Sequence, residues 1–488
     1  MLLLSLLLII PLVGALAIAI IPGNNPGMIR GTALVHAFSA LIMSLGLWYW
    51  FDPASSAMQL SERFSWNTQL GTYYALGIDG FSYPMVILTT LLCLIAIIAS
   101  RSIQQGIKSY YALVLVLETA ILGVFMAQDW ALFYLFWELT LIPLFFLISR
   151  WGGANRDSAA INFVLYTMGG SVFMLMSLLV LFDTSTNHSF EMSSIASGAA
   201  SLSPGTQLLI FSGFLLGFGV KIPMVPLHGW LPLAHVEAPS PISILLSGIL
   251  LKMGAYGLIR AALTLPHAMV MLQPALATVA FVGLLYGGLL AWRQQDLKRM
   301  IAYSSVSHMG VVVLGIASLN QTAMMGATLQ MLAHGLVAGS LFLLIGLLYE
   351  RTHTRDITMY SSLIQITPRF ALFTVLALLA AMGFPGTVGF IAELHTLIGG
   401  YERWGWVIVL LSLSVLISAA YAFRTIGRLF TGPVRPNMRS VTDLTPFELT
   451  ATSLLAATTL LFGWYPDPVI RILTASVATF SASFPPGF

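Results

Sequence analysis

Apolar runs of about 20 residues recur along this chain almost without charge, and their length constrains the fold more than any motif does. About 20 such residues are what a helix needs to cross the hydrocarbon of a bilayer, where backbone amides must be bonded inside the segment itself. Hydrophobic residues fill 58% of 488 positions and the mean hydropathy is +0.90, against roughly 45–50% apolar residues in a soluble domain. A soluble core cannot hide that much apolar surface.

The expected fold is therefore an all-α integral membrane protein with about 14 transmembrane helices. They fall near 2–22, 31–51, 81–100, 110–128, 130–149, 159–182, 207–236, 240–262, 270–291, 300–318, 323–348, 368–398, 405–430 and 448–466. Apolar residues continue to Phe488 without a clear further span. The first run, Met1 to Ile21, has no basic stretch before it and no convincing cleavage site, so it reads as a retained helix.

Lys and Arg alternate in density from one side of these helices to the other. Fifteen of the 21 fall on one side, while Arg63, Arg260, Arg403 and Arg471 fall on the other, and Lys221 and Lys252 lie inside spans. Cytoplasmic loops carry such an excess of basic residues, so both termini are expected on the non-cytoplasmic side. The net charge of +3 and the lack of a basic run give no reason to expect a nucleic-acid partner. A single cysteine, Cys93, excludes intrachain disulfides and cysteine-based clusters. No phosphate loop or nucleotide fingerprint is present, so redox chemistry is not expected in this chain.

Two segments are unlike the rest. In 207–236, Pro223 and Pro226 follow Lys221; in 368–398, Pro385 and Gly386 precede Glu393. Proline removes a backbone donor and clashes with the preceding turn, so both helices should break near mid-membrane. Broken backbone at that depth is tolerated only against protein or a wet cavity. These are the seventh and twelfth helices, five apart, as expected of two inverted five-helix repeats. The repeats would occupy 110–262 and 270–430, preceded by helices one to three in 1–109 and followed by helix fourteen and a tail in 431–488.

Ionisable residues inside apolar spans are the leading functional signal, because a charge near the bilayer centre costs roughly 2.5–3.5 kcal/mol even on the mildest scales. Glu138 (in Phe-Trp-Glu-Leu-Thr-Leu-Ile-Pro) is either a protonated structural glutamate or a carboxylate that pairs with a buried lysine. Lys221 either locks helices by an ion pair or loads and releases a proton as its partner moves. Lys252 sits in helix eight beside small residues that permit close packing. His308 and His334, in helices ten and eleven, can each donate and accept, which suits a relay as well as a structural role. Glu393 follows the second break, the counterpart of Lys221 at the first. His228 and His235 flank Trp230-Leu231-Pro232 and fit a structural or proton-entry role, with no spacing for a metal site. The role of Glu118 in helix four is open, with a protonated structural glutamate favoured.

Residues 222–260, IPMVPLHGWLPLAHVEAPSPISILLSGILLKMGAYGLIR, resemble the core of the antiporter-like subunits of respiratory complex I. So do FWELTLIPLFFLISRWGG at 136–153 and LKRMIAYSSVSHMG at 297–310, and the resemblance runs from about Gly77 to Pro466. In that family a glutamate in helix five, lysines in helices seven and eight and a charge in helix twelve form a proton path. The resemblance carries those roles to Glu138, Lys221, Lys252 and Glu393, with His308 and His334 between them. Glu393, where a sister subunit has lysine, is similar to the type called M in bacteria, chain 4 in mitochondria and D in cyanobacteria and chloroplasts. GFIAEL at 389–394 and ISRWGG at 148–153 lean towards the D form.

The resemblance implies a proton-pumping subunit with no cofactor of its own. Iron–sulfur clusters, quinone and the electron donor, ferredoxin or NAD(P)H, would belong to partner subunits of a thylakoid or bacterial inner membrane. Neighbouring membrane-arm subunits and the lipid bilayer would be its contacts. One departure is Leu233, where family members commonly have aspartate; it argues against a polar role at that position near His235 and would mark a specialised variant of the D form, such as one in a CO2-uptake version of the complex. The alternatives are a subunit of a multi-subunit cation/proton antiporter and a membrane scaffold whose charges only pin helices.

Overall fold

The computed structural model describes residues 2–23, 25–184, 188–199 and 201–485. Among these, twelve helices are long and apolar enough to cross a membrane. They correspond to the expected segments one to six, eight to eleven, thirteen and fourteen. The seventh and twelfth segments are interrupted instead. The seventh runs as a helix over Pro204–Lys221, turns irregularly, and resumes at Trp230–Glu237. The twelfth runs over Pro368–Ala381 and resumes at Val388–Trp404.

Each interruption has a local cause. Pro223 and Pro226 have no N–H to continue the ladder after Lys221. The exposed carbonyl of Val220 is instead bonded by the Trp230 indole, which donates over 2.8 Å from the far side of the break. In the twelfth segment Gly383 and Gly386 adopt φ of +70° and +92°, a region that glycine enters without steric cost. The fourteenth helix, Pro446–Trp464, packs against this turn so closely that a Cβ on Gly463 would lie 2.3 Å from the Gly386 carbonyl oxygen.

Two further helices are irregular where the sequence predicts unbroken spans. The fifth divides at Thr140 into Trp130–Leu139 and Leu141–Trp151. Pro143 explains the position, since its ring opposes the carbonyl four residues earlier, that of Leu139. The eighth, over Ser240–Thr264, contains a π-helical turn at Leu246–Leu250, just before Lys252.

The buried centre is built on the eleventh helix, Gln321–Thr352, whose residues from Ala323 to Leu348 are all buried. Helices eight and ten, Ser240–Thr264 and Leu297–Ala317, lie beside it and are almost as fully enclosed. Helices two and thirteen, Pro26–Trp50 and Val407–Phe430, expose most of their apolar surface.

Outside the spans the all-α expectation needs an addition. Strands β1 (Gln59–Asn67) and β2 (Thr72–Ile78) pair antiparallel as a hairpin with an irregular register. From β1, Glu62 reaches the start of the first helix, Leu3–Ile20, and its carboxylate accepts from the Leu4 N–H at 2.7 Å and the Ser5 N–H at 3.1 Å. Those first-turn donors have no partner within the helix. After β2, Asp79 makes a buried ion pair of 2.8 Å with Arg260 of helix eight. The apolar tail also folds, as a helix over Asp467–Ala482 where no further span was evident. Its Ser476 hydroxyl accepts from the Gly80 N–H at 3.0 Å, tying the tail to the hairpin.

Candidate functional site

The two breaks and the π-turn each deliver an ionisable side chain to the interior. Lys252 is completely buried, and the π-turn leaves the Ser247 carbonyl free to accept from its Nζ at 2.6 Å. On its other side Lys252 Nζ lies 2.6 Å from Nδ1 of His334 on helix eleven. With the ammonium donating, that geometry puts the remaining imidazole proton on Nε2 of His334. Single π-turns inside α-helices recur at functional sites.

The His334 ring stands 5.6 Å from the His308 ring, centroid to centroid. A cavity of about 10 Å³, lined by both histidines, Gln330 and Glu393, lies between helices ten, eleven and twelve; that volume admits about one water molecule. His308 Nδ1 has two neighbours of opposite character. Glu393 Oε1 lies 3.4 Å away and accepts a proton-bearing nitrogen, whereas Gln330 Nε2, at 3.3 Å, donates to a bare one. The Tyr421 hydroxyl of helix thirteen lies 3.4 Å from His308 Nε2. Between Glu393 and Gln330, Nδ1 can be held with or without its proton and the ring need not move.

Glu393 owes its place to the second break. Its Oε2 lies against Gly383, where a Cβ would approach it to 2.5 Å. Only a residue without a side chain leaves room for the carboxylate there.

The first break is more enclosed. Lys221, 1% exposed, points its Nζ at the Thr140 hydroxyl, 3.3 Å away, in the irregular turn of helix five. Its Nζ also faces the rings of Trp137 at 5.0 Å and Phe163 at 5.8 Å, within the range of cation–π contact. Glu138 and Lys221 interact electrostatically, but among the described residues no ion pair joins them, and Oε1 of Glu138 has no hydrogen-bond partner. The turn at Thr140 sets a hydroxyl against the lysine, so the expected pairing is indirect. Helix eight closes on this break: a Cβ on Gly254 would lie 2.8 Å from the Ile222 side chain.

The other residues singled out from sequence are distributed around this line. His235 is fully buried, stacks on Phe342 of helix eleven at 4.7 Å, and has no hydrogen-bond partner on either ring nitrogen among the described residues. It interacts electrostatically with both Lys298 and Lys252. His228 lies in the seventh-segment break against Tyr286. Glu118 is buried with both carboxyl oxygens unpartnered among the described residues. Leu233 is 44% exposed and faces away from the site, so an aspartate there would not enter the buried line.

Thr140, Gln330, Tyr421 and Ser247 were not anticipated. Gln330 had a readable signal, since it stands one turn before His334 in an otherwise apolar helix. Thr140 and Ser247 had none, because their roles depend on irregular turns. Among the described residues no group of three or more His, Cys, Asp or Glu side chains is arranged to hold a metal.

Comparison with known proteins matches residues 127–418 to the family described as NADH:quinone oxidoreductase/Mrp antiporter, TM. The chain is 40% identical to NAD(P)H-quinone oxidoreductase chain 4 1 of Synechococcus elongatus, over 98% of this chain and 91% of that one. It is 39% identical to NADH-quinone oxidoreductase subunit M of Rhodobacter capsulatus, over 98% and 96% of the two chains. Its fold is similar to a chain of respiratory complex I from Thermus thermophilus, with a TM-score of 0.91 and 31% identity over 99% of this chain and all of that one. With match, identity and fold in agreement, the chain belongs to the NADH:quinone oxidoreductase/Mrp antiporter family of membrane subunits, as an antiporter-like member of the complex I type.

Proposed function

We propose that this chain is a proton-translocating membrane-arm subunit of an NAD(P)H- or ferredoxin:quinone oxidoreductase, coupling electron transfer in partner subunits to proton movement through Glu138, Lys221, Lys252, His334, His308 and Glu393. Iron–sulfur clusters, quinone and the donor belong to the partners, and other membrane-arm subunits flank this chain. The observation that carries the reading is the series Lys252, His334, His308 and Glu393, in which Lys252 meets His334, the two imidazole rings stand 5.6 Å apart and His308 faces Glu393.

Each step of that series balances as a proton transfer. The Lys252 ammonium passes a proton to His334 Nδ1 and becomes a neutral amine. His334 then releases the proton on Nε2 across the small cavity to the His308 ring. His308 in turn gives up the proton on Nδ1 to Glu393 Oε1, and Gln330 then donates to the bared nitrogen. A change at Lys221, relayed by Thr140 and Glu138, would bias the Lys252 end across the tight contact of helices seven and eight.

The reading includes fourteen membrane segments, the two interrupted ones among them, and two inverted repeats at 110–262 and 270–430. Both termini are assigned to the non-cytoplasmic side on the uneven distribution of Lys and Arg. A thylakoid membrane is favoured by the cyanobacterial relative, with a bacterial inner membrane as the alternative.

The test is Lys221→Ala in the intact complex, with quinone reduction and vesicle acidification followed together. Pumping should fall by about 100-fold, the scale of a lost proton-transfer group, while the chain still assembles. Undiminished acidification would remove Lys221 from the path. A cation/proton antiporter subunit is the second reading, since the family description spans both. Co-purification of peripheral iron–sulfur subunits supports the first, and of small antiporter subunits the second.

A further inference from the structure

At the end of helix two that begins with Pro26, two guanidiniums converge on a cavity of about 380 Å³ lined also by Gly27, Gly31, Leu34 and Phe447. That volume falls within the roughly 300–1,000 Å³ of small-molecule sites. Arg30 donates to the carbonyls of Arg101 and Ile103, at 3.1 and 2.9 Å, which fixes its head at the rim. Among the described residues its Nε has no hydrogen-bond partner. Arg101 lies flat on the Phe447 ring at 3.6 Å. Arg30 also donates to Gln104 Oε1 at 3.4 Å, but among the described residues neither arginine has a carboxylate partner, whereas Arg260, Arg351 and Arg355 each pair with one.

The walls of the cavity change character with depth. Gly27, Arg30, Gly31 and Leu34 share one helical face, and a Cβ on Gly31 would meet nothing within 4 Å. Below Gly31 that face continues into Val35, Phe38 and Ile42, which are 60%, 52% and 53% exposed. A cationic rim thus stands over a recess, and the recess opens onto an apolar stripe that runs down into the membrane. A small free anion would use only the rim, whereas a phosphodiester carrying an acyl chain uses all three levels.

We propose that this recess binds one anionic phospholipid, its phosphate held by Arg30 and Arg101 and an acyl chain lying along Gly31, Val35 and Phe38. Planar guanidinium suits phosphate because it offers paired donors, and the positive end of helix two adds to the attraction. The site is separate from the buried proton line and does not depend on the direction of pumping.

Delipidated intact complex is titrated with phosphatidylglycerol, phosphatidylcholine or inorganic phosphate, and bound adducts are counted by native mass spectrometry, which also verifies that the subunit is in place. Phosphatidylglycerol should bind about tenfold or more tightly than phosphatidylcholine, the scale expected from two arginines near a membrane surface. The double variant Arg30→Gln/Arg101→Gln should lose that preference. Gly31→Leu fills open space without altering charge, and it should weaken phosphatidylglycerol while leaving any phosphate binding intact. Equal binding of the two lipids, loss of phosphate and phosphatidylglycerol alike in Gly31→Leu, or a partner subunit's acidic segment cross-linked into the recess would each overturn the proposal.

Discussion

The two interrupted helices use one backbone device and fill it with opposite chemistry. At the first, Lys221 sits among a hydroxyl and two aromatic faces, with its carboxylate neighbour out of direct reach. At the second, Glu393 sits within reach of a histidine that Gln330 and Tyr421 also touch. A break frees backbone groups and makes room, but it does not choose which charge occupies the room. The difference teaches that the first break surrounds its lysine with a hydroxyl and two aromatic rings, while the second sets its carboxylate among several hydrogen-bonding side chains.

That contrast can be broken experimentally. Glu393→Ala removes the carboxylate paired with His308 and should lower coupled proton transfer by about 100-fold, as loss of a general acid–base group does. Acidification of vesicles at a fixed rate of quinone reduction measures it, and a loss below twofold would strip the second break of its role. His334→Leu leaves Lys252 Nζ with the Ser247 carbonyl alone, and a fall of roughly 10- to 100-fold is expected in the same assay.

Thr140→Val tests the first break. It deletes one hydrogen bond to a charged group and should slow turnover roughly fivefold, equivalent to about 1 kcal/mol, while Thr140→Ser stays near the parent rate. Equal rates for valine and serine would mean that the hydroxyl does not hold Lys221. Tyr421→Phe is the smallest change, because its 3.4 Å contact with His308 is long. A reduction of less than about threefold is expected, and a larger one would make the tyrosine a member of the line.

The interior charges were legible because hydrocarbon penalises each one, so Glu138, Lys221, Lys252 and Glu393 stand out against their neighbours. The breaks were legible because Pro223, Pro226, Pro385 and Gly386 are local signals. The neutral partners were not. Threonine, serine and glutamine occur throughout the apolar helices at little cost, and nothing in the sequence distinguishes Thr140 from Thr119, whose hydroxyl bonds main-chain carbonyls. The hairpin was hidden as well: β1 mixes exposed charged and aromatic residues, and its anchoring to helix one rests on Glu62, a contact across 58 positions.

Sequence by itself determined that the chain spans a membrane many times, where two of its helices break, and which ionisable groups lie at depth. Those are local properties, set by apolar length, proline and the cost of burying charge. Tertiary structure alone decided that Lys252 meets His334 rather than Lys221, that Glu393 faces His308, and that Lys221 meets the Thr140 hydroxyl. These contacts join helices far apart in the chain, and only the packing of helices eight, ten, eleven and twelve around one another brings the groups within hydrogen-bond distance.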